Sequence, residues 1–465
     1  MSTILGGYYS MNQGKGIFGP QYFTLTIGII LTISAVAFEG LAVTTVAPLL
    51  ASELNGMELY GWVFSAYLLA QLIGTILAGQ YVDQHGPTLP FIIALLLFGL
   101  GLFGAAVASN MFIMIVARAL QGLGAGALIN CIYTSITIRY PDSLRAQILA
   151  AFSSAYVLPA LIGPYIAGVI AEHLSWRFVF WGIIPILLVS AILTIPTFKK
   201  IISKRNTERK SQFLSPIVLT ISTGMLITGL GWLPKMSGVV LSIIGSVILF
   251  FPLRSLLPPG TFIAQSGLPA IIASRGLFMA CYWGTQTYIV LMLTSVKGFA
   301  VDIAGLVVAS ASVSWSLAAW LQAKFDKKDH GQGRRKRVIV GVGLMVLGIS
   351  AVMPIVWMSS TTTSIIIAVT SQIVMGFGIG LANPTSSAIA FEFASSGAEG
   401  KISADLQIAD TFTPAVGIGI GGALIAISKA VGWESYIGIT TSIGLQIVLI
   451  LFSLMAAFQL PKKVS

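Results

Sequence analysis

Long apolar runs divide this chain, and they constrain its fold more than any other feature. A helix that crosses the hydrocarbon core of a bilayer needs about 20 apolar residues. Charged residues make up only 9% of the chain, whereas a soluble domain contains about 25%, and the mean hydropathy is +0.92. The sequence therefore predicts an all-α polytopic membrane protein with fourteen transmembrane helices, at residues 22–50, 60–79, 91–109, 111–138, 146–171, 178–198, 216–233, 237–253, 276–294, 303–322, 338–358, 364–391, 404–428 and 435–460.

The positions of the basic residues predict how these spans are oriented. The net charge is +11, which in a soluble chain would favour a nucleic-acid partner. With both termini in the cytoplasm, 21 of the 26 Lys and Arg residues lie on the inner side, that is all except Arg118, Arg177, Lys235, Lys297 and Lys429. Cytoplasmic loops of membrane proteins carry such an excess. We therefore expect a multi-pass protein of the cell membrane and no nucleic-acid partner.

Two dense basic runs, 199–210 and 324–337, are interpreted as orientation signals, with contact to anionic lipid heads as the alternative. Residues 1–21 lack a basic segment and a cleavage site, so they predict a flexible cytoplasmic tail. Cys131 and Cys281 fall inside predicted spans without CxxC spacing, which predicts neither a disulfide nor a metal site. The sequence also lacks a phosphate-binding loop. We expect no cofactor.

An internal repeat predicts two related halves. Three glycines of the fourth span recur 254 residues later in the twelfth span, since Gly122, Gly124 and Gly126 correspond to Gly376, Gly378 and Gly380. An offset of this length equals eight helices at about 33 residues for each helix and loop. The sequence thus predicts two pseudo-symmetric six-helix bundles at 22–200 and 263–465, with a basic linker and two-helix insert at 201–262. Bundles of this kind usually hold substrate between the halves and alternate access by rocking.

Glu39 is the only charged residue between Tyr22 and Leu50. A carboxylate at the centre of a span is costly, so we expect it to serve ion or substrate transport. The alternative is a helix end whose side chain reaches water. Arg118 begins a glycine-rich run that includes Gln121 and Gly122, and the estimated depths of Glu39 and Arg118 differ by roughly 6 Å. We predict that the two form a pair, with backbone carbonyls as the alternative partner of the arginine.

Further charged and small residues are expected to contribute to the cavity, to contacts between the bundles or to helix bending. Asp410 is expected to provide ion binding or polarity in the cavity, and Asp405 to lie at the cytoplasmic boundary of span thirteen. Asp83 and Gly86, in the turn after span two, and Asp326, in the matching place after span ten, are interpreted as latches between the bundles. A cluster in span five is expected to bend that helix and thin its packing face, and it comprises Gly163, Pro164 and Gly168.

These residues resemble the major facilitator superfamily, and in particular its fourteen-helix drug:proton antiporters. Residues 118–126 are similar to the family motif of helix four, and the cluster at 163–168 is similar to the motif of helix five that is typical of antiporters. The spacing from Glu39 to Pro48 also fits, with Glu in place of the more usual Asp. One departure is the turn at 84–88, which lacks the Arg or Lys that normally follows the glycine.

The resemblance implies alternating access driven by inward proton flow, with Glu39 as the proton site and Arg118 as its modulator. The resemblance does not fix the cargo. We predict a proton-coupled exporter of amphipathic or cationic drug-like molecules that works as a monomer among membrane lipids. Exporters of an endogenous lipid or lipoglycan, and proton:nutrient symporters, are the alternatives. An enzyme is not expected, because the three histidines fall in separate loops. Residues that could line the substrate cavity, each with ordinary packing as its alternative, are Tyr67, Gln71, Tyr156, Trp283, Gln286 and Trp315.

Overall fold

The computed structural model describes residues 16–198, 214–393 and 399–461. Within these ranges it contains fourteen helices that are long and apolar enough to cross a membrane, and no strand. The predicted fold class is confirmed. The helices are α1 (Phe23–Glu53), α2 (Tyr60–His85), α3 (Thr88–Ala106), α4 (Met111–Arg139), α5 (Asp142–His173), α6 (Arg177–Phe198), α7 (Leu214–Gly231), α8 (Met236–Leu256), α9 (Leu268–Leu291), α10 (Val301–Lys328), α11 (Arg334–Val352), α12 (Thr361–Glu392), α13 (Glu399–Ala430) and α14 (Ser435–Phe458).

Two helix boundaries differ from the sequence prediction in ways that affect the sites. Helix α2 continues to His85, so Asp83 lies in its last turn. Only Gly86, with a φ of 84°, and Pro87 form the turn to α3. Helix α9 begins at Leu268 rather than at 276, so Arg275 lies in its second turn and not in a cytoplasmic loop. The sequence prediction begins this span at Gly276, directly after the arginine.

The internal repeat is visible in helix packing. A side-chain carbon at Gly122 or Gly126 of α4 would meet the carbonyl oxygen of Tyr67 or Gln71 on α2. On the other half, Gly376 and Gly380 of α12 contact the carbonyl oxygens of Ala311 and Trp315 on α10 in the same way. Each half therefore uses one glycine face to bring two backbones together. The domain boundaries at 21, 200 and 262 stay a prediction.

The two-helix insert forms a hairpin beside the two bundles. Its helices α7 and α8 pack closely through glycine, since a side chain at Gly245 would lie 2.6 Å from the backbone nitrogen of Leu226. An apolar cluster joins the hairpin to α2 and α13, and it includes Leu69, Leu72, Leu219, Leu249, Ile408 and Phe412. The insert thus covers the seam where α2 and α13 meet. The basic run at 199–210 lies outside the described residues.

The bundles touch on one side of the membrane domain, which we call the distal side because α1 ends and α2 begins there. Four hydrogen bonds between described residues cross from one bundle to the other, and all lie in the distal half or at mid-depth. They join Tyr60 to Thr287, Ser65 to Ala415, Glu172 to Val301 and Lys429 to Glu58. The opposite side, on which α2 ends, is called proximal. If both termini are cytoplasmic, as predicted, this conformation faces inward.

Candidate functional site

Glu39 lies in the middle of α1 and is fully buried. Its Oε1 accepts a hydrogen bond from Nη1 of Arg118 on α4, so the contact predicted from the two depths is present. Its Oε2 has no hydrogen-bond partner among the described residues. The carboxylate is therefore paired through one oxygen, while the other oxygen is left without a donor.

Arg118 is held by four groups and is 1% exposed. Besides binding Glu39, its Nε donates to the backbone oxygen of Val63 at 2.9 Å and its Nη1 donates to Oε1 of Gln121 at 2.7 Å. Its Cζ lies 4.3 Å from the ring centroid of Tyr67. The arginine thus uses both partners that the sequence left open, the carboxylate and a backbone carbonyl. Its Nη2 makes no hydrogen bond to a described residue.

The glycines after Arg118 explain this geometry. Because Gly122 and Gly126 lack side chains, α2 lies directly against α4, with Gly74 of α2 facing the backbone of Leu123 in return. This close approach brings the carbonyl of Val63 and the ring of Tyr67 within reach of the guanidinium. These glycines therefore position the buried charge of Arg118 and also allow α2 and α4 to pack closely.

A cavity of about 440 Å³ lies between the bundles, next to this pair. Five of the six predicted cavity residues line it, namely Tyr67, Gln71, Tyr156, Trp283 and Trp315. Arg118 is the one charged residue in the lining among the described residues, and Tyr282 adds a further aromatic ring that meets Trp315 edge-on at 5.0 Å. The expectation for Gln286 is wrong. Its amide lies inside the second bundle, where Nε2 donates to Oη of Tyr282 at 3.0 Å.

A second ion pair, between Arg275 on α9 and Asp410 on α13, lies in the other bundle. Nε and Nη2 of Arg275 donate to the two carboxylate oxygens at 2.7 and 2.8 Å. The remaining donors bind the carbonyl and amide oxygens of Asn383 and the hydroxyls of Ser386 and Ser387. Asp410 does not line the central cavity, so its expected place in the cavity wall is corrected. The carboxylate is directed toward Arg275 instead.

The role of Arg275 was missed by the sequence analysis. A signal was available, because Asp410 lies inside a predicted span, and a carboxylate within a span usually pairs with a cation. Asp405 also differs from expectation, since it is 2% exposed rather than at a wetted boundary. No hydrogen bond or ion pair joins it to another described residue, and its Oδ2 is buried without a partner.

The expected latch residue Asp326 lies in the last turn of α10 and binds within its own bundle. Its carboxylate accepts hydrogen bonds from Arg334 at 2.5 and 2.8 Å and from Arg337 at 2.5 Å, both at the start of α11. The prediction of a contact between bundles is therefore not met in this conformation. Next to it, the hydrogen bond from Arg337 lowers the pKa of Asp329. The side chain of Asp83 lies outside the described residues.

The cluster in α5 contacts the other bundle at the distal side. A side chain at Gly168 would lie 2.6 Å from Cα of Asp302 on α10, and one at Gly305 would lie 2.5 Å from the carbonyl oxygen of Pro164. Gly163 packs against the ring of Phe38 on α1. The small residues thus allow α5 and α10 to cross in contact. Within the described residues, no group of three or more His, Cys, Asp or Glu could hold a metal ion.

Comparison with known proteins decides the family. A family model described as Major Facilitator Superfamily matches residues 27–409. The chain belongs to the major facilitator superfamily. Fourteen spanning helices fit its fourteen-helix drug:proton antiporters. As a member of this superfamily, the chain is a transporter and not an enzyme.

Two curated relatives are similar over part of their length. The multidrug efflux pump SdrM of Staphylococcus aureus (strain N315) is 24% identical over 312 residues, which cover 65% of this chain and 70% of that protein. Multidrug resistance protein 3 of Bacillus subtilis (strain 168) is 27% identical over 198 residues, which cover 43% of this chain and 38% of that protein. The match thus spans well under half of the second relative.

Two solved structures share the fold of this superfamily member. An auto-inhibited POT family peptide transporter superposes with a TM-score of 0.66 at 13% identity, covering 93% of this chain and 95% of that chain. A D-xylose-proton symporter gives a TM-score of 0.62 at 15% identity, covering 93% and 97%. At these identities the likeness concerns the fold alone.

Proposed function

We propose that this protein is a proton-coupled exporter of amphipathic, drug-like molecules that works by alternating access. The observation that carries the proposal is the Glu39–Arg118 pair, which is buried beside the central cavity. A titratable group buried in a membrane domain marks ion traffic in most proteins that contain one. The two relatives whose names describe multidrug efflux and multidrug resistance support the direction and the class of cargo.

The geometry supports a simple coupling scheme. Burial disfavours the ionised carboxylate, whereas a contacting cation favours it, so movement of the arginine changes the affinity of a carboxyl group for protons. Oε2 of Glu39 has no donor and is the oxygen that would take the proton. A neutral Glu39 holds Arg118 less strongly, and the arginine then relies on Val63, Gln121 and the ring of Tyr67. Proton binding would in this way alter the cavity wall.

The lining of the cavity favours one class of cargo. Aromatic rings from both bundles can stack on a flat apolar molecule, and Tyr67, Tyr156, Trp283 and Trp315 supply them. The one charged lining residue among those described is the cationic Arg118, and its Nη2 donates to no described residue. We therefore place amphipathic molecules that carry a hydrogen-bond acceptor first. Cationic molecules are the second candidate, because the aromatic faces attract them.

The direction in which protons move relative to the substrate distinguishes an antiporter from a symporter. Purified protein would be placed in liposomes that contain a pH-sensitive dye, and a candidate amphiphile would be added outside. Antiport moves protons out as the amphiphile enters, so the lumen becomes more alkaline, whereas symport makes it more acidic. Acidification would overturn export by antiport and favour a proton:nutrient symporter. Lipid or lipoglycan cargo would be detected as lipid-dependent alkalinisation with no response to drug-like molecules.

The role of Glu39 is tested in the same liposomes. The Glu39→Gln protein should lose the pH response while it still exchanges labelled amphiphile at equal concentrations on both sides. Glu53→Gln is the matched control, because Glu53 belongs to the same helix but binds Arg177 and Trp176 at the distal end. That variant should keep the pH response. A full response from Glu39→Gln would remove this residue from coupling.

A further inference from the structure

A second cavity, of about 530 Å³, lies apart from the central one. It is enclosed by the end of α8, the connection from 257 to 267, and helices α9, α13 and α14. Among the described residues, none lines both cavities. The lining is mostly aliphatic and aromatic, and it includes Leu253, Leu257, Phe262, Ile263, Phe452 and Met455.

The mouth of this cavity lies near the proximal surface of the membrane domain. Helix α8 ends at Leu256 and α9 begins at Leu268, so the connection that covers the cavity is at that surface. Phe262 and Ile263 on this connection are 62% and 79% exposed. Exposed apolar patches of this kind mark contact with other molecules or with a membrane. The cavity therefore opens at the surface of the membrane, at the level of the lipid head groups.

Two arginines lie next to lining residues of this cavity and form no ion pair with a described residue. Arg254, in the last turn of α8, is exposed and forms no ion pair with a described residue. Nη2 of Arg335 donates to the carbonyl oxygen of Phe458 at 2.7 Å, next to Gln459 of the lining, and this arginine also forms no ion pair with a described residue. The sequence contains no Asp or Glu from 209 to 301. Within the part of the chain that the structure describes, no acidic side chain neutralises these two arginines.

We propose that this cavity binds one acyl chain of an anionic phospholipid, with the phosphate of that lipid against Arg254 and Arg335. An apolar interior with a cationic mouth is complementary to a molecule with an apolar tail and an anionic head. The lining on α14 runs from Phe452 to Gln459, a length of about 10 Å at 1.5 Å per residue. This depth fits part of one chain and leaves the head at the surface.

The inner end of the cavity links the lipid to the second ion pair. Gly276 and Thr413 line that end, and the hydroxyl of Thr413 donates to the carbonyl oxygen of Gly276 at 2.7 Å. Gly276 directly follows Arg275, and Thr413 lies one turn after Asp410. A chain in this cavity packs against the contact of α9 with α13. Lipid binding would therefore stabilise the helix pair that holds Arg275 and Asp410 together.

The test compares two lipids that differ only in the head. Full-length protein in detergent would be titrated with dioleoylphosphatidylglycerol or dioleoylphosphatidylcholine, and bound lipid would be counted by native mass spectrometry alongside the unfolding temperature. We expect one tightly held phosphatidylglycerol that raises the unfolding temperature, and weaker retention of phosphatidylcholine. Arg254→Gln and Arg335→Gln should each weaken phosphatidylglycerol binding about fivefold. Equal retention of both lipids by the native chain would overturn the proposal.

Two further variants make the result specific. Ala273→Phe fills the cavity at a half-buried lining position of α9 and should abolish the tightly bound lipid. Lys235→Gln removes an exposed cation at the distal end of α8 and should change nothing. Retention of the lipid by Ala273→Phe would place it elsewhere and overturn the proposal. Saturable binding of ethidium that competes with phosphatidylglycerol in the native chain and is lost in Ala273→Phe would assign the cavity to transported amphiphiles. That result would also overturn the proposal.

Discussion

Arg275 binds both carboxylate oxygens of Asp410, whereas Arg118 contacts only one oxygen of Glu39. The two buried arginines therefore differ in how completely they satisfy their partners. In the Arg275–Asp410 pair, residues of α12 and α13 accept hydrogen bonds from every nitrogen of the guanidinium. The pair therefore holds helices α9, α12 and α13 of the second bundle together. In the other pair, Oε2 of Glu39 and Nη2 of Arg118 form no hydrogen bond with a described residue, which leaves room for a proton and for an acceptor.

We predict unequal costs when the Arg275–Asp410 pair is broken. Asp410→Asn leaves Arg275, whose side chain is 5% exposed, as a buried charge without its counter-ion. This variant should lose about 3 kcal/mol of folding stability. Arg275→Gln should lose less, because the side chain of Asp410 is 29% exposed and remains partly hydrated.

The double variant provides the check. Arg275→Gln with Asp410→Asn should lose less stability than the sum of the two single losses, since neither charge is left alone. Thermal unfolding of all four proteins in one detergent measures the cycle. Additive losses would show that the two residues do not depend on each other. The double variant should also retain the proton response to an added amphiphile.

A second prediction concerns the glycine contact between α2 and α4. A methyl group at Gly122 would overlap the carbonyl oxygen of Tyr67, and backbone has little freedom to move. Gly122→Ala should therefore destabilise the protein by about 1–3 kcal/mol and reduce transport, because Arg118 loses its position. Gly182→Ala in α6 is the control, since nothing lies within 4 Å of its added carbon. Equal unfolding temperatures for the two variants would contradict the argument.

Much of this fold could be predicted from the sequence, because membrane spans are set by the length of apolar runs. The Glu39–Arg118 pair could also be predicted, since each charge stands alone in its span and needs a partner. The pair of Arg275 with Asp410 could not be predicted from hydropathy, which treats an arginine near a span end as a boundary. The partners of Asp326 depended on how the loop 329–333 folds, and no periodic pattern encodes that.

The residues of the central cavity could also be predicted only in part. Aromatic residues in facing spans could be recognised as candidates, and five of six line the cavity. Gln286 differs because the direction of a side chain on a helix depends on rotation of that helix within the bundle. Its amide donates to the hydroxyl of Tyr282 and does not line the cavity. Sequence alone gives the residue but not this rotation.

A third prediction tests the orientation of the membrane domain. Cysteines placed at Lys235 and Lys328 lie at exposed positions on opposite sides of the helices. In intact cells, an impermeant thiol reagent should label Lys235→Cys and leave Lys328→Cys unlabelled. The native cysteines Cys131 and Cys281 are fully buried and give no background. Labelling of Lys328→Cys in sealed cells would place the proximal side outside.

A fourth prediction follows from the lowered pKa of Asp329. Hydrogen bonds from Arg337 and from the backbone of Gly331 and Gly333 favour its ionised form in the folded protein. A carboxyl group with a depressed folded pKa contributes stability above its unfolded pKa of about 3.9, and that contribution is lost as the pH falls through the folded value. The contribution is therefore complete at neutral pH.

Asp329→Asn should unfold at a lower temperature than the native chain by a constant amount from pH 7 to 5. The difference should shrink below about pH 4. Asp142→Asn is a suitable control, because Asp142 is 87% exposed and its pair with Arg145 contributes little. If the difference in unfolding temperature between Asp329→Asn and the native chain stayed constant down to pH 3, titration of this carboxyl group would be ruled out as its cause.

The last prediction compares two contacts that close the distal side. Lys429 and Glu58 join the bundles by an ion pair at 2.8 Å, but their side chains are 63% and 41% exposed. Exposed ion pairs contribute about 0–1 kcal/mol, so Lys429→Gln should shift the balance between conformations by fivefold at most. At Gly61, by contrast, an added carbon would lie 2.9 Å from Cα of Gly422. Backbone overlap of this kind costs about 1–3 kcal/mol, and only separation of α2 from α13 relieves it.

Gly61→Ala should therefore open the distal side far more than Lys429→Gln does. Distances between spin labels at the distal ends of α2 and α13, measured by pulsed electron resonance, report this opening directly. The longer distance should be a minor population in the native chain and in Lys429→Gln, and the major population in Gly61→Ala. If loss of the ion pair opened the seam as fully as the added methyl group, electrostatics rather than backbone contact would hold the two bundles together.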